Sequence, residues 1–231
     1  MYSSRISNPV NYSLPPDKPV NHLATAVLQR RPLYGHSHWA FFRQAELITG
    51  QLFNEAERKI FIDHVKIRRL RKRQYFLQEG DTCRYLGFII KGATKTYSIN
   101  ERGQQSILSF NIEHDWVTDM ESFLENKESA YHIEVLEDLE MLIMDLNQFH
   151  SLISLIPAMG QLVSCFQMKQ LIEFQQRINA ALSMTAEERY FNLLATKSNY
   201  VQRFSQNMLA CYLGIKPATL SRIRKHCPKH I

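Results

Sequence analysis

The sequence predicts an α+β fold. An N-terminal antiparallel β-roll, jelly-roll-like and flanked by helices, is followed by a long helix and a C-terminal helical domain of winged-helix-like or helix-turn-helix form. Three observations carry this expectation. Apolar periodicity changes from helical to alternating near residue 67 and returns to helical near residue 147. The helical stripe then continues to about residue 183. Finally, residues 205–225, SQNMLACYLGIKPATLSRIRK, read as two short helices hinged at a glycine in the most basic part of the chain.

Composition sets the frame. A chain of 231 residues holds one large or two modest domains, and 45% apolar content is enough for a core. No run approaches the ~20 apolar residues of a membrane span. The N-terminal stretch has no basic region followed by an apolar core, so no secretory signal is expected. Cys83, Cys165, Cys211 and Cys227 are scattered without metal-ligand spacing. They point to inert thiols in the reducing cytoplasm rather than to a zinc site or a disulfide framework. The net charge of +6 is local: residues 184–231 hold eight of the 28 Lys/Arg and only two of the 22 Asp/Glu, so the rest of the chain balances. Such asymmetry points to a polyanionic partner for the C-terminal part, or else to a solvated basic surface.

Residues 1–36 contain five of the eight prolines and little periodicity, the signature of a poorly ordered extension. From His38 to Val65 apolar residues recur at three and four, giving one or two helices, with Asn54 as an N-cap ahead of acidic first-turn residues. The roll, with its flanking helices, is assigned to 37–147. YLGFIIKGATKTYSI reads as strand, Gly92, strand; NERG at 100–103 is a turn, and QQSILSF returns to form a hairpin. AYHIEVLEDLEMLIMD supplies two more strands around Glu137-Asp138. The basic run KIRRLRKR at 66–73 fits a solvated strand edge better than a membrane-surface site, because no adjacent apolar face carries Trp or Phe.

Residues 148–183 keep the helical period and are assigned to a dimerisation helix; with Pro157 near its start, one helix of about 25 residues spans roughly 38 Å. Its stripe includes Met159, Leu162, Phe166, Phe174 and Ile178. A stripe this long wants a partner helix, and the simplest is its own copy in a two-fold dimer; packing on the chain's own domains is the alternative.

Residues 184–231 form the last domain. Thr185-Ala-Glu-Glu188 is a capping box that starts a helix. Ser205 caps a second helix through Leu213, Gly214 turns the backbone, and Pro217 suits the first turn of a third. Leu209, Leu213, Ile215, Leu220 and Ile223 supply a shared core, and Ala210 allows close crossing. This is the helix-turn-helix pattern, whose second helix enters the major groove.

The order of these parts, about residues 38–226, resembles the Crp–Fnr family of bacterial transcription regulators. In the roll the likeness rests on YFLQEGDTCRYLGFIIKGATKTYSINERGQQSILSF, with Gly80, Gly87, Gly92 and Gly103 at turns; in the helix-turn-helix it rests on ACYLGIKPATLSRIRK. The resemblance implies a homodimer reading a palindromic site on double-stranded DNA, with RNA polymerase as a further candidate partner. Arg222 matches an arginine with which the family reads guanine. Thr219 and Ser221 accompany it on the reading helix, while Pro217 and Ala218 stand where relatives place Arg and Glu. Ser205, Gln206, Lys216 and Lys225 are assigned to phosphates.

Family members that bind cyclic AMP use a cassette with Gly-Glu near its start and Arg-Ser-Ala near its end. Here Thr118-Asp119 and Glu128-Ser129-Ala130 fall on those places. A carboxylate at 128 in place of a guanidinium would cost on the order of a thousandfold in affinity for the cyclic phosphate. Cyclic AMP is therefore not the expected ligand, and the roll is assigned an unknown small effector or none. The family's iron–sulfur branch needs an N-terminal cysteine cluster, and no cysteine precedes Cys83. For a haem branch His64, His114, His132 and His150 are the ligands on offer, though lone histidines are more often surface or core residues. No cofactor or metal is assigned, and no Gly-rich phosphate loop, GxSxG or HExxH marks an enzyme. The reading from another class is an effector-sensing module that regulates a protein partner and keeps a vestigial DNA-binding end.

Overall fold

The computed structural model describes residues 35–226; the expected extension over 1–36 and Cys227 fall largely or wholly outside it. Two helices open the described chain. Helix α1 (His36–Thr49) ends at Gly50, and α2 (Glu55–His64) starts at Asn54, which forms a capping box with Glu57 as the sequence suggests. Their corner is tied by Glu46, whose buried carboxylate accepts from the Phe53 N–H (3.1 Å) and from the Arg58 guanidinium. Phe41, Phe42, Phe53 and Phe61 form its apolar side, with the Phe41 and Phe61 rings stacked at 4.0 Å.

Eight strands follow: β1 (Lys66–Leu70), β2 (Tyr75–Leu77), β3 (Leu86–Lys91), β4 (Thr94–Ile99), β5 (Gln105–Asn111), β6 (Trp116–Val117), β7 (His132–Val135) and β8 (Leu139–Met144), with α3 (Met120–Glu125) between β6 and β7. They make two antiparallel four-stranded sheets, ordered β1-β8-β3-β6 and β2-β7-β4-β5. This is the expected roll. The β4–β5 hairpin turns at Asn100, whose Oδ1 accepts from the N–H groups of Arg102 (3.1 Å) and Gln104 (2.9 Å). The Glu137-Asp138 turn carries the chain from one sheet to the other, since β7 and β8 pair with different neighbours. The basic run lies on edge strand β1, with Arg69 paired to Glu140 and Arg71 to Asp138.

Two glycines show why the roll closes. Gly92 has φ +100°, and a Cβ there would lie 2.6 Å from the Asp138 carbonyl oxygen. Gly87, expected at a turn, is inside β3 instead; a Cβ would press on Met141 and Val117, so its role is close packing between strands.

Beyond the roll, the segment 148–183 holds two helices rather than one, and the expected helix of about 25 residues with Pro157 near its start is the second of them. Helix α4 (Leu146–Leu155), started by an Asp145–Gln148 capping box, breaks at Ile156, and α5 (Pro157–Ser183) leaves at 117°. Proline at the first position of α5 lacks the N–H that would continue α4, which places the break. The stripe divides along α5 itself. Met159 and Leu162 are completely or almost completely buried in the roll's own core, and Phe166 packs there against Trp116. Met159 and Leu162 stabilise the monomer and are not free for a second chain, and Phe166 is partly engaged in the same core. The exposed part of the stripe runs Met168, Leu171, Phe174, Ile178 and Leu182, with Ile178 61% and Leu182 83% exposed. No single helix among the described residues is long and apolar enough to cross a membrane.

Candidate nucleic-acid interface

Four helices complete the described chain: α6 (Ala186–Thr196), α7 (Ser198–Arg203), α8 (Gln206–Leu213) and α9 (Pro217–His226). No strand of a wing is present among the described residues of this part, so the form is purely helical. Three of these starts are built by a local hydrogen bond or residue choice. Thr185 and Glu188 form the expected capping box of α6. The Ser205 hydroxyl accepts from the Met208 N–H at 3.4 Å, capping α8. Gly214 closes α8 at φ +66°, ψ 35°, left-handed backbone that a side chain would strain. The Ile215 N–H then returns to the Ala210 carbonyl (3.0 Å), and Pro217 opens α9.

Leu209, Ala210, Leu213, Leu220 and Ile223 are buried together, with Tyr190 and Leu193 of α6 beneath them. Leu220 and Ile223 fix which face of α9 is outward. At 100° per residue, Ala218, Arg222 and Lys225 fall within about 60° of one another on the opposite side. All three are exposed, as are Lys216, Pro217 and Arg224, while Thr219 and Ser221 flank them half-buried. None of Lys216, Arg222, Arg224 and Lys225 has an acidic partner within ion-pair distance among the described residues. Ser205, by contrast, engages its oxygen in the cap and keeps a hydroxyl proton to donate. Gln206 donates to the Pro217 carbonyl at 3.4 Å, bracing the two helices.

Not every cation of the basic end is free. Arg203 forks onto two carboxylates of the roll: onto both oxygens of Glu113, at 2.5 and 2.7 Å, and onto both of Glu137, at 2.8 and 2.7 Å. Burial alone would raise the Glu113 carboxyl. Hydrogen bonds from Arg203, its own backbone and the Gly92 N–H, with the Arg203 charge, instead bring it down to about 2. The same pairing raises the Arg203 guanidinium further above its ordinary value. Around this fork the helical domain packs on β5. Phe110 stacks on Phe204 at 4.1 Å, the Tyr200 hydroxyl donates to the Phe110 carbonyl at 2.9 Å, and the Cys211 thiol donates to the Gln105 carbonyl at 3.0 Å. Sequence reasoning missed this docking. Glu113 and Glu137 lie 90 and 66 residues from Arg203, and no local spacing marks the contact.

In the roll, two of the four expected effector residues, Asp119 and Ser129, come together. Asp119 caps α3 through the Ser122 N–H (3.4 Å) and accepts from the Ser129 hydroxyl (2.6 Å). Thr118 donates to the Tyr85 carbonyl at 3.3 Å and touches the Cys83 sulfur. Glu128 stands apart, exposed, in an isolated bridge to Thr82. Asp119 and Ser129 thus satisfy each other while Thr118 bonds Tyr85 and Cys83, and no Lys or Arg side chain among the described residues hydrogen-bonds Thr118, Asp119 or Ser129. His132 stacks on Tyr97 at 4.9 Å and lies 3.3 Å from Glu79, while the His64 ring bonds the Ile60 carbonyl. Among the described residues no group of three or more His, Cys, Asp and Glu is placed to hold a metal.

Comparison with known proteins agrees with this arrangement. The cyclic nucleotide-binding domain family matches residues 67–155. The transcriptional activator protein Anr of Pseudomonas aeruginosa is 23% identical over 167 residues, 68% of each chain. Among solved structures, the c-di-GMP-responsive global regulator CLP of Xanthomonas campestris superposes with a TM-score of 0.61 at 17% identity, over 74% of this chain and 90% of that one. FixK2 of Bradyrhizobium japonicum also reaches 0.61, at 15% identity, over 70% and 83%. At such identities the superpositions speak for the fold.

Proposed function

We propose that the chain is a regulator of the Crp–Fnr type, dimeric and DNA-binding, that reads a palindromic site through the major groove; the family match over residues 67–155 and the likeness to Anr and CLP support this reading. The observation that supports this best is α9, which sets unpaired cations on the face opposite its buried Leu220 and Ile223. Arg222 reads a guanine by its fork, worth about 1–3 kcal/mol of discrimination. Thr219 and Ser221 line the same groove, and Pro217 and Ala218 offer only apolar contact, such as to a thymine methyl. Ser205, Gln206, Lys216 and Lys225 hold phosphates, which fix register without reading sequence.

The exposed stripe of α5 pairs two chains and so sets the two reading helices at ~34 Å, one turn of duplex. The roll is an effector domain that does not take cyclic AMP in the family's usual way. Its Asp119 is engaged by Ser122 and Ser129, and a carboxylate stands at 128. RNA polymerase is the natural further partner of such a regulator bound to DNA.

The test is anisotropy of labelled duplex with the full chain at two salt concentrations. Arg222→Ala is expected to relax preference at one base pair per half-site. Lys216→Ala is expected to weaken all sequences alike and to flatten the salt dependence. Equal loss on specific and random DNA for Arg222→Ala would remove it as a base reader. Absence of any salt-sensitive retention would instead favour a module that acts on a protein partner.

A further inference from the structure

A cavity of about 340 Å³ opens where β5, α5, α6 and the end of α8 meet, and no residue of the Thr118–Ser129 cassette lines it. Its walls carry five charged side chains, Asp115, Glu173, Arg177, Arg189 and Lys197. Lys197 is paired to Glu173 at 3.0 Å. Asp115 accepts from the Ile112 N–H and has Lys169 at 3.7 Å, and burial raises its carboxyl toward the neutral form. Among the described residues the two guanidiniums have no such partner. Arg177 bonds only main-chain carbonyls, those of Ile107 (2.7 Å) and Tyr212 (3.2 Å), with its charge over the Tyr212 ring at 4.2 Å. Carbonyls accept its hydrogens but leave its charge uncompensated. Arg189 makes no ion pair among the described residues, and its Nε is buried without any hydrogen-bond partner. A buried N–H left unbonded costs free energy and calls for an acceptor. Phe174 and Leu193 add apolar wall.

We propose that this cavity binds a small organic anion, a carboxylate or phosphate monoester on an apolar body, with Arg177 and Arg189 holding the anionic group. Guanidiniums suit such groups by their forked donors, and the volume lies within the range of small-molecule sites. Because the walls come from both the roll and the helical domain, the bound anion bridges them and stabilises their docking. Control of DNA affinity by the anion rests on the DNA-binding reading above; the binding itself does not.

Calorimetry and thermal unfolding of the full chain with phenyl phosphate, inorganic phosphate and benzyl alcohol test the site. Phenyl phosphate is expected to bind saturably at millimolar concentration and to raise the unfolding midpoint, inorganic phosphate to bind more weakly, and benzyl alcohol not to bind. Arg189→Met is expected to weaken phenyl phosphate at least about tenfold. It should leave the ligand-free midpoint unchanged or raise it, because an unsatisfied buried donor is gone. A merely structural arginine would show the reverse, a lower midpoint with binding retained. Arg189→Lys serves as second variant, keeping the charge without the fork and giving an intermediate loss. No saturable binding of either phosphate, equal binding of benzyl alcohol, or unchanged binding in Arg189→Met overturns the proposal. If phenyl phosphate binds but duplex affinity does not respond, the site stands and its coupling to DNA falls. If the chain retains no DNA at all, the functional reading fails while the calorimetric result still decides the site.

Discussion

Glu113→Gln isolates the electrostatic part of the docking between roll and helical domain. The substitution keeps the shape and a carbonyl acceptor but removes one of the two charges that Arg203 faces. Holding the Glu113 carboxyl at about 2 instead of 4.5 corresponds to about 3 kcal/mol in full. With 32% of that side chain in solvent, screening reduces this to about 1–2 kcal/mol. For a chain of this length the unfolding midpoint should fall by roughly 2–8 °C at neutral pH. The sign of the pH dependence follows from the direction of the shift. A carboxyl held below its unfolded value stabilises the fold above about 4.5 and loses that contribution as pH falls toward about 2. Calorimetric midpoints of both proteins from pH 7 down to pH 2 should therefore start apart, converge below pH 4.5 and meet near pH 2. A gap of constant size across that range would refute the reasoning, and so would coincident midpoints at pH 7.

Four further outcomes are expected. Ile178→Glu, at a 61% exposed position, should leave the monomer's helix content intact and shift sedimentation from dimer to monomer at micromolar concentration; a wild-type chain that is already monomeric, with and without DNA, would remove the dimer proposal. Phe166→Glu should destabilise the fold itself, because Phe166 packs on the core beside Trp116. Cyclic AMP and cyclic GMP at millimolar concentration should give no saturable heat, and a clear isotherm would contradict the argument from Glu128 and the Asp119–Ser129 bond. Gly92→Ala should lower stability by about 2 kcal/mol or more, read from denaturant midpoints, because the new methyl meets the Asp138 carbonyl and the backbone is left-handed there.

Local chemistry in the sequence was sufficient for much of this molecule. Asn54, Thr185 and Ser205 cap helices because a short polar side chain followed by a helical run can close its own first turn, whatever surrounds it. The hairpin turn at 100–103 and the left-handed Gly214 are equally local. The outward face of α9 follows from the 100° step once Leu220 and Ile223 are read as core, so Arg222 and Lys225 were legible as free cations.

Properties that depend on residues far apart in the chain were decided only by the tertiary structure. Periodicity placed Met159 and Leu162 on the same stripe as Ile178, because spacing reports that a face is apolar but not what covers it. All three lie on α5, whose first turns pack into the roll's core while its later turns leave that core, so the first two are buried and the last is in solvent. Gly87 reads as a turn glycine in sequence, yet only packing against Met141 and Val117 shows it to be a strand glycine. Arg203 counted toward the basic end by composition alone; its charge is engaged by Glu113 and Glu137, brought to it by the fold of both sheets. Arg177 and Arg189 carry no motif either. What distinguishes them is the lack of a carboxylate beside each in a cavity, which is a property of three-dimensional neighbours and not of sequence.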